Sequence, residues 1–508
     1  MRIERKKNAS RNIVYGFLTK IHNILLPFIM RSAMIHFLGV EYLGLSSLFT
    51  SILQVLNLAE LGIGSAMVFS MYKPIAEDDN DTVCALMILY RRYYRIIGTV
   101  VLIAGLAILP AVPRLIHGSV PAELNVYILY LLNLFATVFS YWLFAYRNSI
   151  LLAHQRNDVT SKISLCTNTI KYAIQLAVLA FIKDYYWYVI AIVATQIINN
   201  VATAYVSRRM YPQFEPRGKL DQKEIKAINS RVRDVFTAKL GGTILNSADT
   251  IIISAFLGLR LLAIYQNYYY VIDAVIGVFT IFFSSITAGV GNSLVIESKE
   301  KNYSDYKTLS AITFGLIGFS SACMVTLYQP FITLWVGKDL LLSMPMVFLF
   351  CLYFVIVEYV RLASVYKDAA GIWHQDRFRP LISGIANLVL NLLMVKRFGL
   401  TGILLSTILS AGAISVPWIT MNLFRYVFEG QLADYLKLAL RGLAVVCVSA
   451  LLAHLAAGVI PFTGAIELAL KLCLSTVVSI LVFLAFFWNT EEYGRAKKML
   501  FAIVKRRK

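Results

Sequence analysis

Apolar residues in this chain gather into runs that recur from one end to the other, broken by short polar stretches. Each run reaches about 20 residues or more, enough for a helix to cross a ~30 Å hydrocarbon core. A barrel would show ~10-residue segments of alternating polarity instead, and none occur. The runs predict about fourteen helical spans, at 12–38, 43–70, 93–116, 124–146, 163–182, 185–206, 234–257, 262–295, 308–328, 342–366, 380–396, 400–424, 438–460 and 465–488. The fold class expected is therefore an all-α membrane protein. The second, eighth and tenth spans carry glycine or polar interruptions.

Composition agrees: of 508 residues, 58% are hydrophobic and 15% charged, where soluble domains carry roughly a quarter charged. The net charge of +20 raises the question of nucleic acid, and its placement answers it. With Arg2, Arg5, Lys6, Lys7 and Arg11 on one side and the sides alternating after each span, only Arg114, Lys183, Arg260, Lys338, Lys396 and Arg397 lie in loops on the other. That is the positive-inside pattern. It predicts both termini in the cytoplasm and explains the charge without nucleic acid. The runs RIERKK and KRRK read as anchors touching anionic membrane lipid. The six cysteines sit singly, so neither a disulfide framework nor a zinc site is expected. The first apolar run holds Lys20 and Arg31 and lacks a cleavage site, so it reads as a span and not a signal peptide.

The chain also repeats itself at a spacing of about 220 residues. Ser10-Arg11 returns as Ser230-Arg231, and Lys20 as Lys239. GVEYLG (Gly39–Gly44) returns as GLRLLA (Gly258–Ala263), and AHQRN (Ala153–Asn157) as WHQDR (Trp373–Arg377). LGIGSAMV, from Leu61, is matched by AGVGNSLV, from Ala288. Each half holds six spans, an even number, so both share one orientation and form a parallel pseudo-twofold repeat. The expected organisation is a first lobe over 1–210, a cytoplasmic linker with a short amphipathic helix over 211–233, and a second lobe over 234–428. An added helical hairpin follows over 429–490, and a basic cytoplasmic tail over 491–508.

Nine ionisable residues fall inside spans: Lys20, Arg31, Glu60, Lys171, Lys239, Asp249, Asp273, Glu358 and Arg361. At ~2.5–3.5 kcal/mol each, nine facing lipid would cost roughly 25 kcal/mol, so most should face protein or water. Lys20, Asn23, Pro27 and Arg31 share one helix face, as do Gln54, Asn57 and Glu60. Lys239, Asn246 and Asp249 mark the seventh span, and Gln266 and Asp273 the eighth. These stripes predict a shared polar cavity. Lys20, Arg31, Lys171, Lys239 and Arg361 would be its cations and Glu60, Asp249, Asp273 and Glu358 its acids. Asn23, Gln54, Asn57, Asn246 and Gln266 would be its neutral polar groups. Glu358 and Arg361, at i and i+3, read equally as a self-contained ion pair. The cluster Tyr265, Tyr268, Tyr269 and Tyr270 reads as an interfacial aromatic belt. His154 and His374 read as loop-structural residues.

No G-x-x-x-x-G-K-[ST] motif is present, and no segment outside the spans exceeds about 30 residues. No catalytic residue or metal site is expected, and a transporter is favoured over a membrane enzyme or polymerase. The acidic-Gly-Arg-Arg loop of major-facilitator carriers is missing after the second span, where EDDND and YRRYYR stand. The opening pattern Ser10-Arg11-Asn12, then FLGVEYLGLSSLFTSILQVLNLAELGIGSA, MYKPIAEDD and YRRYYR, resembles polysaccharide flippases of the Wzx type. These belong to the multidrug/oligosaccharidyl-lipid/polysaccharide (MOP) superfamily. GTILNSADTIIISAFLG, ending at Gly258 and holding Asp249, is similar to the start of that family's second half. The resemblance implies a MATE-like fold in a bacterial inner membrane. It also implies a flippase for undecaprenyl-diphosphate-linked oligosaccharide serving capsule, exopolysaccharide or O-antigen synthesis. A polymerase and glycosyltransferases would be its partners, H⁺ or Na⁺ the candidate coupling ion, and no organic cofactor is implied. A lipid II flippase and a drug/cation antiporter of the same superfamily stay open as alternatives.

Overall fold

A computed structural model describes residues 5–505 except 61 and 119, and among these residues every regular element is helical. The chain clusters into two compact units, Met1–Ala263 and Ile264–Lys508.

The first unit opens with α1 (Arg5–Phe37), which stops at Gly39, where φ is 125°. Next come α2 (Val40–Leu56), a 3₁₀ turn over Asn57–Glu60, Gly62 at φ 91°, and α3 (Ile63–Ala76). The second apolar run is thus a broken span. A backbone with positive φ needs glycine at position 62, and a Cβ there would also come within 2.8 Å of Val235. The Asp79 carboxylate accepts from Thr82 N (3.0 Å) and starts α4 (Asn80–Ile108). Asn125 caps α5 (Val126–Trp142), Phe144 breaks the path at φ 56°, and α6 (Asn148–Ala153) follows. Then come α7 (Asn157–Ala177), α8 (Tyr185–Met210) and α9 (Gln222–Leu257). The expected linker helix is continuous with the seventh span inside α9. Gly44 lets α2 close on the chain at Leu259, whose carbonyl a Cβ would strike.

The boundary falls inside α10 (Leu259–Ile296). The second unit continues with α11 (Lys299–Val336), α12 (Met344–Ala369), α13 (Trp373–Asp376), α14 (Arg379–Ser410) and α15 (Val416–Tyr426). It ends with α16 (Leu432–Ala457), α17 (Ala465–Phe487) and α18 (Glu491–Lys505). The expected eleventh and twelfth spans are one helical run, kinked at Gly399 (φ 55°, ψ −135°).

Ten helices among the described residues are long and apolar enough to cross a bilayer, or eleven if the bent pair α5–α6 is one span. The sequence reading of about fourteen runs higher for two visible reasons. Polar residues dilute the first run and the break shortens the second, while Gly399 bends two runs within one helix.

The two repeated loops share a buried aspartate–arginine pair but differ in backbone, since Gln155 has φ 58° while Gln375 lies in α13. Asp158 is fully buried and held by Arg156 Nε (2.8 Å) and Nη2 (3.2 Å). Asp376, 3% exposed, is held by Arg379 Nε (2.7 Å) and Nη2 (3.0 Å). Gln155 O accepts from Asn12, and Gln375 O from Trp418 and Asn422. His154 is buried against Tyr211 (ring centroids 4.2 Å), and its Nδ1 bonds Ile150 O (2.8 Å). Tyr265 and Tyr268 are not an aromatic belt. Both are buried, and Tyr268 stacks on Tyr328 and donates to Gln329 Oε1 (3.2 Å). Neighbouring helices supply an aromatic interior that a one-dimensional run of tyrosines does not reveal.

Candidate functional site

In the first unit, α1 has two distinct sides. Val14, Leu18, Ile21, Leu25 and Ile29 are exposed, and helical spacing sets them along the side opposite Lys20, Asn23, Pro27 and Arg31. Lys20 and Asn23 are exposed and Arg31 half-buried, with Arg31 in electrostatic reach of Tyr188 on α8. His22, which the same spacing sets beside the apolar side, meets Thr169 Oγ1 of α7 (2.9 Å). Its ring is 6.0 Å from that of Tyr172.

On α7, the Lys171 ammonium donates to Asn168 Oδ1 (3.3 Å) and lies 4.3 Å from the Tyr172 ring centroid. No carboxylate stands within ion-pair distance of it among the described residues. A cation within a span is costly without a partner.

The break between α2 and α3 holds the unit's acid. Glu60 Oε1 accepts from Tyr94 OH (3.0 Å), and Tyr94 OH accepts from Tyr90 OH (2.6 Å). Tyr141 OH donates to Asn57 Oδ1 (3.0 Å), with Glu60 Oε2 at 3.5 Å as a weaker alternative. The shorter contact takes the proton, because one hydroxyl has one hydrogen. Lys239 on α9 is exposed and within electrostatic reach of Glu60. Gln54 is exposed, Asp249 is buried, and the side chain of Asn246 lies outside the described residues.

The second unit is arranged differently. Glu358 is fully buried, and Arg361 Nε donates to both its oxygens, at 3.1 and 3.0 Å. Arg361 Nη1 also donates to Thr280 Oγ1 of α10 (3.0 Å). The self-contained pair reading thus describes this geometry. Asp273 is exposed and Gln266 half-buried.

The structure brings Asn57, Glu60 and Lys239 together, and Glu358 with Arg361. Lys171 has no acid among these groups, and Lys20, Gln54 and Asp273 are simply exposed. Sequence reasoning passed over His22, Thr169, Tyr172, Tyr90, Tyr94 and Tyr141, while Thr280 stood in the eighth-span stripe with Gln266 and Asp273. The i, i+4 spacing of Tyr90 and Tyr94 was a usable signal for a hydroxyl pair on one helix face. The other contacts join distant segments.

The described residues thus form helical units with a broken span and polar groups at the break. Solved structures share that fold. A lipid II flippase MurJ in an inward closed conformation matches with a TM-score of 0.64 and 17% identity, over 94% of this chain and 97% of that one. An inward-facing multidrug resistance MATE transporter of the MOP superfamily matches with a TM-score of 0.61 and 13% identity, over 81% and 96%. A mutant form of the Vibrio cholerae MATE transporter VcmN matches at 0.53 and 13%, over 84% and 99%. No curated protein matches the chain in sequence. The model of the polysaccharide biosynthesis protein family matches residues 9–287. The chain belongs to that family and is a multi-pass membrane protein.

Proposed function

We propose that this protein is a flippase that moves an undecaprenyl-diphosphate-linked oligosaccharide from the cytoplasmic to the outer leaflet of a bacterial inner membrane by alternating access. The glycan would serve capsule, exopolysaccharide or O-antigen assembly, with a polymerase and glycosyltransferases acting before and after it. The observation that carries this reading is Lys171, an ammonium within a span with no acid beside it. A diphosphate headgroup is the anion such a site lacks, and a charge-assisted contact to phosphate is about twice as strong as a neutral one. Lys20, Arg31 and Lys239 would add positive charge along the path. Glu60, Asp249 and Asp273 are the coupling candidates for H⁺ or Na⁺, and Glu60 is favoured because tyrosine hydroxyls hold it at a helix break.

Lipid II is the second reading, favoured by the match to a lipid II flippase over 94% of this chain. The two cargoes share the polyprenyl diphosphate and differ in the glycan. The deciding experiment reconstitutes the full chain in liposomes loaded with each lipid in turn and scores accessibility of the sugar from outside. Transport of an undecaprenyl-diphosphate oligosaccharide, weakened in Lys171→Met, Arg31→Ala and Lys239→Ala, supports the proposal. Equal transport by all three variants would sink it, and transport of lipid II alone would replace it with the second reading.

A further inference from the structure

The second unit carries an apolar groove that ends in unpartnered polar groups. One part, of about 760 Å³, is lined by Val275, Phe279, Leu327, Phe331 and Leu472, from α10, α11 and α17. Another, of about 640 Å³, is lined by Gly315, Ile480, Phe483, Tyr493 and Lys497, from α11, α17 and α18. Leu316 and Phe319 line both, so the two parts run on along the seam of α11 and α17. Each lies within the ~300–1,000 Å³ of small-ligand sites. Gly315 lets Phe483 of α17 pack onto α11, since a Cβ there would sit 3.0 Å from its ring.

Two hydroxyls along the wall are already committed. Thr476 donates to Leu472 O (2.8 Å) and Ser479 to Ser475 O (2.6 Å). The end at α18 is different. The Tyr493 ring is fixed between Trp488 (5.5 Å) and Phe483 (6.4 Å), while its hydroxyl has no protein partner among the described residues. Lys497 is exposed, with no acid within ion-pair distance among the described residues. The acids of α18 are engaged elsewhere, Glu491 by Arg495 (3.2 Å) and Glu492 by Lys307 (3.7 Å). Lys498 adds exposed positive charge on the same helix.

We propose that this groove binds an anionic phospholipid, its acyl chains along α11 and α17 and its phosphate at Lys497 and the Tyr493 hydroxyl. The apolar wall selects hydrocarbon, and the uncompensated ammonium selects a headgroup of net negative charge over a zwitterionic one. The site requires only that the chain be embedded in a bilayer, so it stands apart from the cargo reading.

The test uses the purified full chain in neutral detergent. Dioleoyl-phosphatidylglycerol, dioleoyl-phosphatidylcholine and undecaprenyl phosphate are added at equal concentration, and bound lipid is counted by native mass spectrometry. Phosphatidylglycerol should be retained about fivefold over phosphatidylcholine, the preference one basic residue near a headgroup supplies. Lys497→Gln should erase that preference, and Gly315→Val should lower retention of both phospholipids. Lys497 is exposed, so its variant keeps the test decisive even if Gly315→Val fails to fold. Equal retention of the two phospholipids, an unchanged preference in Lys497→Gln, or displacement of phosphatidylglycerol by undecaprenyl phosphate would each overturn the proposal.

Discussion

The two units handle charge inside the membrane in opposite ways. In the second, Glu358 and Arg361 neutralise each other on one helix, with Thr280 as a third member. In the first, Lys171 and Glu60 have separate surroundings. Lys171 has an amide and an aromatic face, and Glu60 has tyrosine hydroxyls. A self-neutralised pair has little left to offer a ligand, whereas an ammonium with only neutral contacts stays attractive to an anion. Lys171 therefore belongs to the transport reading, and Arg361 to stability.

The largest expected effect lies in the second unit. Arg361→Ala leaves the Glu358 carboxylate buried and alone, and should destabilise the protein by about 3–5 kcal/mol. Thermal unfolding in detergent checks this, and Glu358→Gln with Arg361→Gln should recover most of the loss. Equal stability of Arg361→Ala and wild type would erase the contrast between the units.

Lys171→Met comes next and should split stability from transport. Removing a charge that has no acidic partner should leave thermal stability equal or higher. Loss of a charged contact to phosphate, at about 1.5–3 kcal/mol, should slow transport roughly ten- to a hundredfold. A variant that unfolds but transports normally when folded would make Lys171 structural.

A smaller effect should follow Tyr94→Phe, which removes the hydroxyl facing Glu60 and breaks the link to Tyr90. One hydrogen bond to a charged group is worth about 1.5 kcal/mol or somewhat more. Transport should fall while cargo binding holds, and the pH dependence of transport should shift. An unshifted pH profile would detach Glu60 from ion coupling.

The smallest effect concerns His154, outside the spans. Burial holds its imidazole below the usual value, although the hydrogen bond to Ile150 O favours the charged form. The unfolded chain takes up this proton more readily than the folded one. Stability from this site is therefore present above the ordinary imidazole range and falls as pH drops through it. His154→Phe should flatten that part of the stability–pH curve, and an unchanged curve would assign the acid sensitivity elsewhere.

Much of this was already written along the chain. A bilayer admits long helices because every backbone polar group must be satisfied within the segment, so apolar runs alone declared a helical membrane protein. Repeated short motifs also suggest two related halves, because matching residues at matching positions leave a one-dimensional trace. The α1 stripe of Lys20, Asn23 and Arg31 was legible for a similar reason, since a helix face follows from spacing. Tertiary structure decided which charges gain partners from distant segments. The Glu358–Arg361 pair was readable from its i, i+3 spacing, whereas no acid among the described residues reaches Lys171. Tyr94 and Tyr141 arrive at Glu60 from helices distant in sequence. Ion pairing depends on separations of a few ångströms, and those are set only once the helices have packed.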